Sequence, residues 1–174
     1  HADSQEPPCI SMTSCGAWVT TSLDRLPFLR HVVIIGAKPD AVNTIPLRYR
    51  SRVSVFPENG SDWMDPLVKE AIVSVIPTCS VYISIDKDVL RQPDAITDWD
   101  QGSMKLEQLL ALIWHIALYK DICGLDIGGE YPLSFARDFG LCLQAAKINE
   151  RANRRILAVT LGSRRHDTSP PVSA

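Results

Sequence analysis

The sequence predicts an α/β protein, a three-layer α/β/α domain with a mainly parallel sheet. Short runs rich in β-branched residues alternate with amphipathic segments along the 174 residues, an order typical of parallel sheets covered by helices on both faces. The run 32–36 lacks polar alternation, which favours a strand buried on both faces and hence a parallel one. We expect one domain over residues 1–162, and a disordered tail over the polar residues 163–174.

The first half of the chain contains one predicted helix and two predicted strands. Apolar residues at helical spacing predict a helix over residues 14–26, with Ser14 as its N-cap and Pro27 ending it. The unalternating run 32–36 predicts the first strand, and residues 53–56 predict the second after a polar connection.

The second half continues the alternation. Asp65 as N-cap and Pro66 at the first helical position open a helix that Pro77 ends. Strand 80–85 follows, and Ser103 is expected to cap the next helix. The sequence then predicts a strand over residues 122–127 and a last helix over residues 141–161.

Composition excludes several classes of partner. The formal net charge of −2 leaves no basic excess for a nucleic acid or an anionic membrane. No apolar run reaches the ~18 residues that would span a bilayer.

The five cysteines form no C-x-x-C pair, so we expect buried free thiols and a reducing, cytoplasmic location. The expected partner is a small-molecule substrate, and the sequence leaves open whether the chain forms a homo-oligomer.

Asp86 and Asp88 are the sharpest chemical signal. They follow the strongest strand directly, where ligands of parallel sheets bind. Residues two apart on an extended chain point to the same side, so both carboxylates can converge on one point. Such paired hard oxygen ligands suit Mg²⁺, Mn²⁺ or Ca²⁺. The alternative is that Asp86 caps a turn and Asp88 is solvated.

His1 and Asp3 repeat the same spacing at the start of the chain. Together with Asp86 and Asp88 they would form a set of one imidazole and three carboxylates. Such an oxygen-rich set of ligands suits Mn²⁺, whereas structural zinc sites are dominated by cysteine ligands.

Three segments resemble the arginase/ureohydrolase family, which shares its fold with histone deacetylases. Residues 81–90 resemble the family's S-x-D-x-D-x-L segment, and residues 1–3 are similar to the second half of its D-x-H-x-D motif. Residues 124–132 resemble its G-L-D-I-x-E-x-x-P segment. Residues 14–18 and 98–102 look more like an uncharacterised arginase-like branch than like arginases or agmatinases.

The resemblance implies an arginase-like fold and a centre of two Mn²⁺ ions. Asp86 and Asp88 would hold the metals, with His1 and Asp3 completing part of the shell. A water of lowered pKa would then attack a carbon–nitrogen bond other than a peptide bond. Glu130 and Asp100 are the candidate catalytic residues, since either carboxylate is placed to orient a cationic substrate. A solvated strand end for Glu130 and a polar turn for Asp100 are the structural alternatives.

Some family segments have no counterpart in the sequence. The first Asp of D-x-H-x-D would lie two residues before His1, and the G-G-D-H segment and the S-G-N-x-H-G substrate loop are absent. We therefore expect an arginase-like domain whose N-terminal part is missing and whose metal site is incomplete. Guanidinium specificity is not carried over.

Two other functions stay open. Residues 86–89 also fit the D-x-D-x-[TV] motif of haloacid-dehalogenase-type phosphohydrolases, with Asp86 as nucleophile and Asp88 as general acid. That motif normally lies on the first strand, whereas at least two strands precede it here. The other possibility is a non-catalytic arginase-fold protein whose metal site is incomplete.

Overall fold

The computed structural model describes residues 3–7, 14–59, 62–132 and 138–163. The predicted alternation of helices and strands is confirmed. In chain order the elements are α1 (Trp18–Arg25), β1 (Val32–Ala37), β2 (Val53–Pro57), α2 (Pro66–Ser74), β3 (Ser80–Asp86), α3 (Leu106–Tyr119), β4 (Asp121–Gly128) and α4 (Phe139–Ser163).

The strands pair in parallel, as an α/β fold requires. β1 pairs with β2 from Val32↔Val53 onward, and β3 pairs with β4 from Ser80↔Asp121 to Asp86↔Gly128. The described strands therefore form two ladders, β1–β2 and β3–β4, each with all its carboxyl ends at one edge. Polar residues that follow β1, β3 and β4 are brought toward that edge.

Local sequence signals account well for α2 and less well for α3. Asp65 Oδ1 accepts a hydrogen bond from Leu67 N at 2.9 Å, which confirms the predicted cap. The prediction that Ser103 caps α3 is wrong, because the N-cap is Lys105. The Ser103 N–H donates to Glu58 Oε1 at 2.6 Å instead, and Met104 pairs with Leu90 in a parallel bridge. These contacts hold the chain extended for two more residues.

One layer of helices covers both ladders on the same side. Val33 and Ile35 of β1 pack into a cluster with Leu112 and Ile116 of α3. The partly buried residues of that cluster also include Val81 and Ile83, both from β3. The two ladders thus lie side by side on α3.

Two further clusters complete the core. α1 packs on the other face of β1–β2, where Val19 and Leu23 meet Tyr49 and Val53. α4 packs beside α3 on β3–β4, where Ile156 meets Ile85.

β3 is buried on one face only. Its side chains alternate between exposed and covered, and Tyr82 is 62% exposed. α3 and α4 cover the face that carries Val81, Ile83 and Ile85. The opposite face, with Tyr82 and Ser84, is open in the described part of the chain.

The cysteine prediction is half right. Cys15, Cys79, Cys123 and Cys142 are all free thiols. Of these four described cysteines only Cys142 is buried and the other three are exposed, while Cys9 lies outside the described residues. Cys123 is exposed because it lies on the open face of β4, where its Sγ–H donates to the Val81 carbonyl at 3.2 Å.

Several predictions fall at the margins of the described chain. α4 continues to Ser163, and the tail predicted to be disordered lies otherwise outside the described residues, as does His1. Within the described ranges, no helix combines the length and apolar character needed to cross a membrane.

Candidate functional site at the carboxyl ends of the strands

Three carboxylates predicted as metal ligands line one cavity. Asp3, Asp86 and Asp88 border a space of about 310 Å³, together with Lys38 and Trp99. The cavity lies beyond the carboxyl ends of β1 and β3, where parallel sheets bind ligands. The structure thus brings together the two acidic segments that the sequence separates by more than eighty residues.

The Asp86–Asp88 pair is positioned by a turn. Asp86 ends β3, and its Oδ1 accepts a hydrogen bond from Asp88 N at 3.0 Å, capping the short 3-10 helix Lys87–Val89. The capping alternative for Asp86 is therefore confirmed. Asp88 is only 6% exposed, so it is not a solvated carboxylate. The two side chains line one cavity because the backbone forms a 3-10 turn after β3. The predicted extended conformation, with residues two apart on the same side, does not continue past Asp86.

Gly129 allows this turn to form. Its φ of +77° lies in the left-handed region, and a Cβ there would come within 2.9 Å of Asp86 Oδ1 and of Lys87 N. Only glycine lets the end of β4 approach the Asp86 carboxylate so closely.

Asp3 is held in place by α1. Trp18 Nε1 donates to Asp3 Oδ2 at 3.0 Å, and Val19 N donates to the Asp3 carbonyl at 3.1 Å. Gln5 N also donates to the Gly16 carbonyl at 2.9 Å. The start of α1 therefore fixes the first described residues against the acidic cavity.

The pKa values reflect crowded negative charge. Burial raises the pKa of the Asp88 carboxyl, and the charges of Asp86 and Asp3 add to that rise against a hydrogen bond from Thr97. Burial likewise raises the pKa of Asp3, and the charge of Asp86 raises it further, although the hydrogen bond from Trp18 opposes both effects. A cation among these carboxylates would relieve the repulsion.

The donor chemistry fits a hard divalent cation, since all three groups are carboxylates. Among the described residues, however, no group of three His, Cys, Asp or Glu side chains is arranged to hold a metal ion. The described part of the site therefore supplies suitable donors without a complete ligand set.

Glu130 lies in a network of protein contacts. Its carboxylate pairs with the buried Lys87 ammonium, and it accepts hydrogen bonds from Asn149 and Asn153 at 3.1 Å each. Lys87 also donates to Asn153 Oδ1 at 3.0 Å. The Glu130 side chain is 53% exposed, so it is a solvent-accessible carboxylate at the strand end that also makes these contacts. Its role toward a substrate stays a prediction.

Asp100 is exposed and pairs with Lys38 at 3.2 Å. Lys38 lines the acidic cavity, so Asp100 reaches its rim through this ion pair. The neighbouring Trp99 lines the cavity directly and is 65% exposed, whereas Trp63 is buried in the core. A role for Asp100 in orienting a substrate also stays a prediction.

Sequence reasoning missed several residues around the site. Lys38 follows β1 directly, so the rule that ligands bind at strand ends would have found it. Asn149 and Asn153 stand four residues apart on α4, a spacing that puts both side chains on one helix face. Lys87 lies between the two aspartates, and nothing in its local sequence signals that it is fully buried.

Comparison with known proteins supports the fold. No protein-family model matches the chain. The chain is 34% identical over 136 residues to an uncharacterized protein of Thermotoga maritima. The matched residues make up 78% of this chain and 47% of that protein. The chain thus spans about half the length of this relative.

One solved structure is similar to the chain in its fold. The chain superposes on the crystal structure of a hypothetical agmatinase from Burkholderia thailandensis with a TM-score of 0.63. The match covers 95% of this chain and 50% of that structure, at 19% sequence identity. This likeness confirms the α/β class and shows that the chain shares its fold with the agmatinase structure.

Proposed function

We propose that this chain is part of a ureohydrolase-like, metal-dependent hydrolase of carbon–nitrogen bonds other than peptide bonds. The observation that carries the proposal is the convergence of Asp3, Asp86 and Asp88 on one cavity at the strand ends. The shared fold with a hypothetical agmatinase favours this function over a phosphohydrolase of the haloacid-dehalogenase type.

In this proposal Asp86 and Asp88 hold Mn²⁺, with Asp3 and His1 as further ligands. When bound, two such ions supply Lewis acidity and a water of lowered pKa near neutral pH. Asp88 contributes a carboxylate that the protein has already largely removed from solvent. Asp3 contributes one that Trp18 and Val19 hold in place.

The substrate is proposed to be a small molecule bound beside the metal ligands. Trp99 offers an exposed aromatic face at the cavity, and Lys38 and Asp100 offer a paired cation and anion at its rim. Glu130 is proposed to orient a cationic substrate, since its carboxylate is 53% exposed while it pairs with Lys87 and accepts a hydrogen bond from Asn153.

Titration of the chain with Mn²⁺, followed by the loss of the free-ion electron paramagnetic resonance signal, tests the metal site. We expect Asp86→Asn and Asp88→Asn each to weaken binding at least about tenfold, because each removes one charged ligand. Asp121→Asn is the matched control, since Asp121 is an exposed carboxylate at the amino end of β4, the opposite edge of the sheet.

Equal binding by Asp86→Asn and the unchanged chain would contradict the proposed ligands. Absence of Mn²⁺ binding by the unchanged chain would favour the non-catalytic alternative. For the full-length protein we expect about two Mn²⁺ per chain, as two-metal hydrolysis requires.

A further inference from the structure

Charge is unevenly divided in the acidic cavity. Four carboxylates line it, those of Asp3, Asp40, Asp86 and Asp88. Lys38 is the one basic side chain among the described residues that line it. Like charges held close together repel one another, and an opposite charge between them relieves that repulsion. The cavity therefore attracts cations, and Lys38 is a cation that the protein itself supplies at this place.

The backbone of Lys38 is fixed, whereas its side chain is free to move. Lys38 directly follows β1, and its carbonyl accepts a hydrogen bond from Ala41 N at 3.0 Å. Pro39 restricts Lys38 to the extended backbone that it adopts, with a ψ of 150°. The Lys38 side chain is 59% exposed, and the four-carbon stem of a lysine is flexible. The ammonium group can thus change partners while the Cα of Lys38 stays beside the cavity.

Asp100 is the present partner of this ammonium group. Lys38 Nζ donates to Asp100 Oδ2 at 3.2 Å. The Asp100 side chain is 79% exposed, and an ion pair with so much solvent around it contributes little free energy. Lys38 can therefore leave Asp100 for another carboxylate at small cost.

The loop over residues 97–102 places Asp100 at the rim. Gln101 Nε2 donates to two backbone carbonyls, at 3.1 and 3.0 Å. Gly102 N donates to the Asp88 carbonyl at 2.6 Å. The residues that follow Asp100 are thus attached to the same turn that positions a candidate metal ligand.

The two possible environments of the Lys38 ammonium differ in their exposure to water. Asp88 is 6% exposed, and charges attract each other more strongly where water does not screen them. Moving toward such a carboxylate costs the ammonium part of its hydration. Asp100 offers the ammonium a partner without that cost, so its removal shifts Lys38 toward the cavity.

We propose that Asp100 is a positioning residue that holds the Lys38 ammonium at the rim, and that Lys38 released from it pairs with the carboxylates of the candidate metal site. Lys38 then occupies the cavity and excludes other cations from it. Its competition with a divalent metal ion rests on the proposed function, whereas its placement does not. Asp100 thereby controls the cavity through Lys38, without contacting the cation that binds there.

Carbodiimide cross-linking of the metal-free chain, followed by mass spectrometry of its peptides, tests the placement. The reagent joins an amine and a carboxylate that are in contact as an amide. In the unchanged chain we expect Lys38 to be joined to Asp100, and in Asp100→Asn to one of the three candidate metal ligands. Asp100→Glu keeps a carboxylate and should restore the link to residue 100.

The proposal fails on any other pattern of Lys38 links in Asp100→Asn, including a link to Asp40 alone. It also fails if links from Lys38 to the candidate metal ligands are equally frequent in the unchanged chain.

Titration with Mn²⁺ tests the competition. Lys38→Met should tighten binding about threefold and Asp100→Asn should weaken it about threefold, within the range that one exposed charge pair contributes. In a chain that already carries Lys38→Met, Asp100→Asn should change binding less than about 1.5-fold, because Asp100 acts through Lys38. Glu150→Gln is the matched control and should leave binding unchanged, since it removes the same charge from an exposed ion pair on α4 that does not line the cavity.

Equal weakening by Asp100→Asn with and without Lys38→Met would show that Asp100 attracts the ion directly, and would overturn the proposal. Unchanged or weaker binding by Lys38→Met would overturn it as well. If the unchanged chain binds no Mn²⁺, the proposed metal site fails, and the cross-links alone decide the placement of Lys38.

Discussion

The Lys87 ammonium is fully buried and pairs with Glu130 across the ends of β3 and β4. Lys87 stands between the two aspartates of the candidate metal site, and Glu130 follows the glycine pair that ends β4. Asn153 of α4 bonds to both partners. One buried positive charge thus connects the ends of two strands with a helix.

Lys87→Met tests the weight of this ion pair. The substitution keeps an unbranched side chain but leaves the Glu130 carboxylate without its cation. Breaking a fully buried pair costs about 3–5 kcal/mol. The Glu130 side chain is 53% exposed, so we expect a loss of about 1–3 kcal/mol in the free energy of unfolding once solvent screening is allowed for. Urea denaturation measures it.

Lys38→Met is the matched control. Lys38 pairs with Asp100 on the surface, with side chains 59% and 79% exposed. An exposed pair of this kind is worth about 0–1 kcal/mol, so this variant should lose much less stability. Equal losses in the two variants would show that burial of Lys87 does not strengthen its ion pair.

Glu130→Gln is expected to show a pH-dependent cost. Burial alone would raise the pKa of the Glu130 carboxyl, but hydrogen bonds from Lys87, Asn153 and Asn149 outweigh it and lower the pKa below its ordinary value of 4.5. The stabilisation is therefore complete above pH 4.5 and is lost as the pH falls through the lower, folded-state value. The difference in Tm between the two proteins should shrink on acidification from about pH 6 to below pH 4.

A constant difference in Tm over that range would contradict the ionic role of Glu130. Glu107→Gln provides a comparison, because the Glu107 carboxylate makes an exposed ion pair with Arg155 that lowers its pKa by hydrogen bonding. Its Tm difference should be smaller at every pH, since solvent screens an exposed pair.

Asn149→Ala should be strongly destabilising. Asn149 is 1% exposed, and its amide bonds both Ile96 N at 2.9 Å and the Ile96 carbonyl at 2.7 Å. Truncation leaves these buried backbone groups without the side chain, at a cost of about 2–4 kcal/mol for the two together. Thermal or urea unfolding measures this loss.

Asn153→Ala is the control for Asn149. It lies one helical turn further along α4 and is partly exposed, so water can replace its contacts to Lys87 and Glu130. We expect a loss of about 0.5–1.5 kcal/mol. The interpretation of Asn149 as the anchor of the loop at Ile96 would be wrong if the two variants lost equal stability.

Gly129→Ala should disturb the candidate site itself. The added Cβ would meet Asp86 Oδ1 and Lys87 N at 2.9 Å, and the φ of +77° strains any L-residue. We expect a loss of about 1–3 kcal/mol and weaker Mn²⁺ binding, because Asp86 must move. Gly162→Ala is the control, since nothing lies within 4 Å of its new Cβ and alanine favours a helix over glycine by up to about 1 kcal/mol.

Local sequence by itself determined the element order, the parallel pairing and the cap of α2. Each depends on residues only a few positions apart: the β-branched run of β1, the periodic face of α3, and Asp65 followed by Pro66. The sequence also predicted that Asp86 and Asp88 lie at the end of β3, because the apolar run of that strand stops directly before Asp86. The resemblance of short motifs then pointed to the fold that the agmatinase structure shares.

Only the tertiary structure decided which distant groups meet. The Ser103 N–H donates to Glu58, 45 residues away, and Ser103 does not cap α3 as predicted. Lys87 pairs with Glu130, 43 residues away. Asp3 reached the acidic cavity because Trp18 and Val19 hold it there. Side-chain periodicity carries no information about such pairs, since they depend on how strands and helices pack after each has formed. The pairing of the described strands is a further case, because the sequence does not show that β1 pairs with β2 and β3 with β4 as two separate ladders.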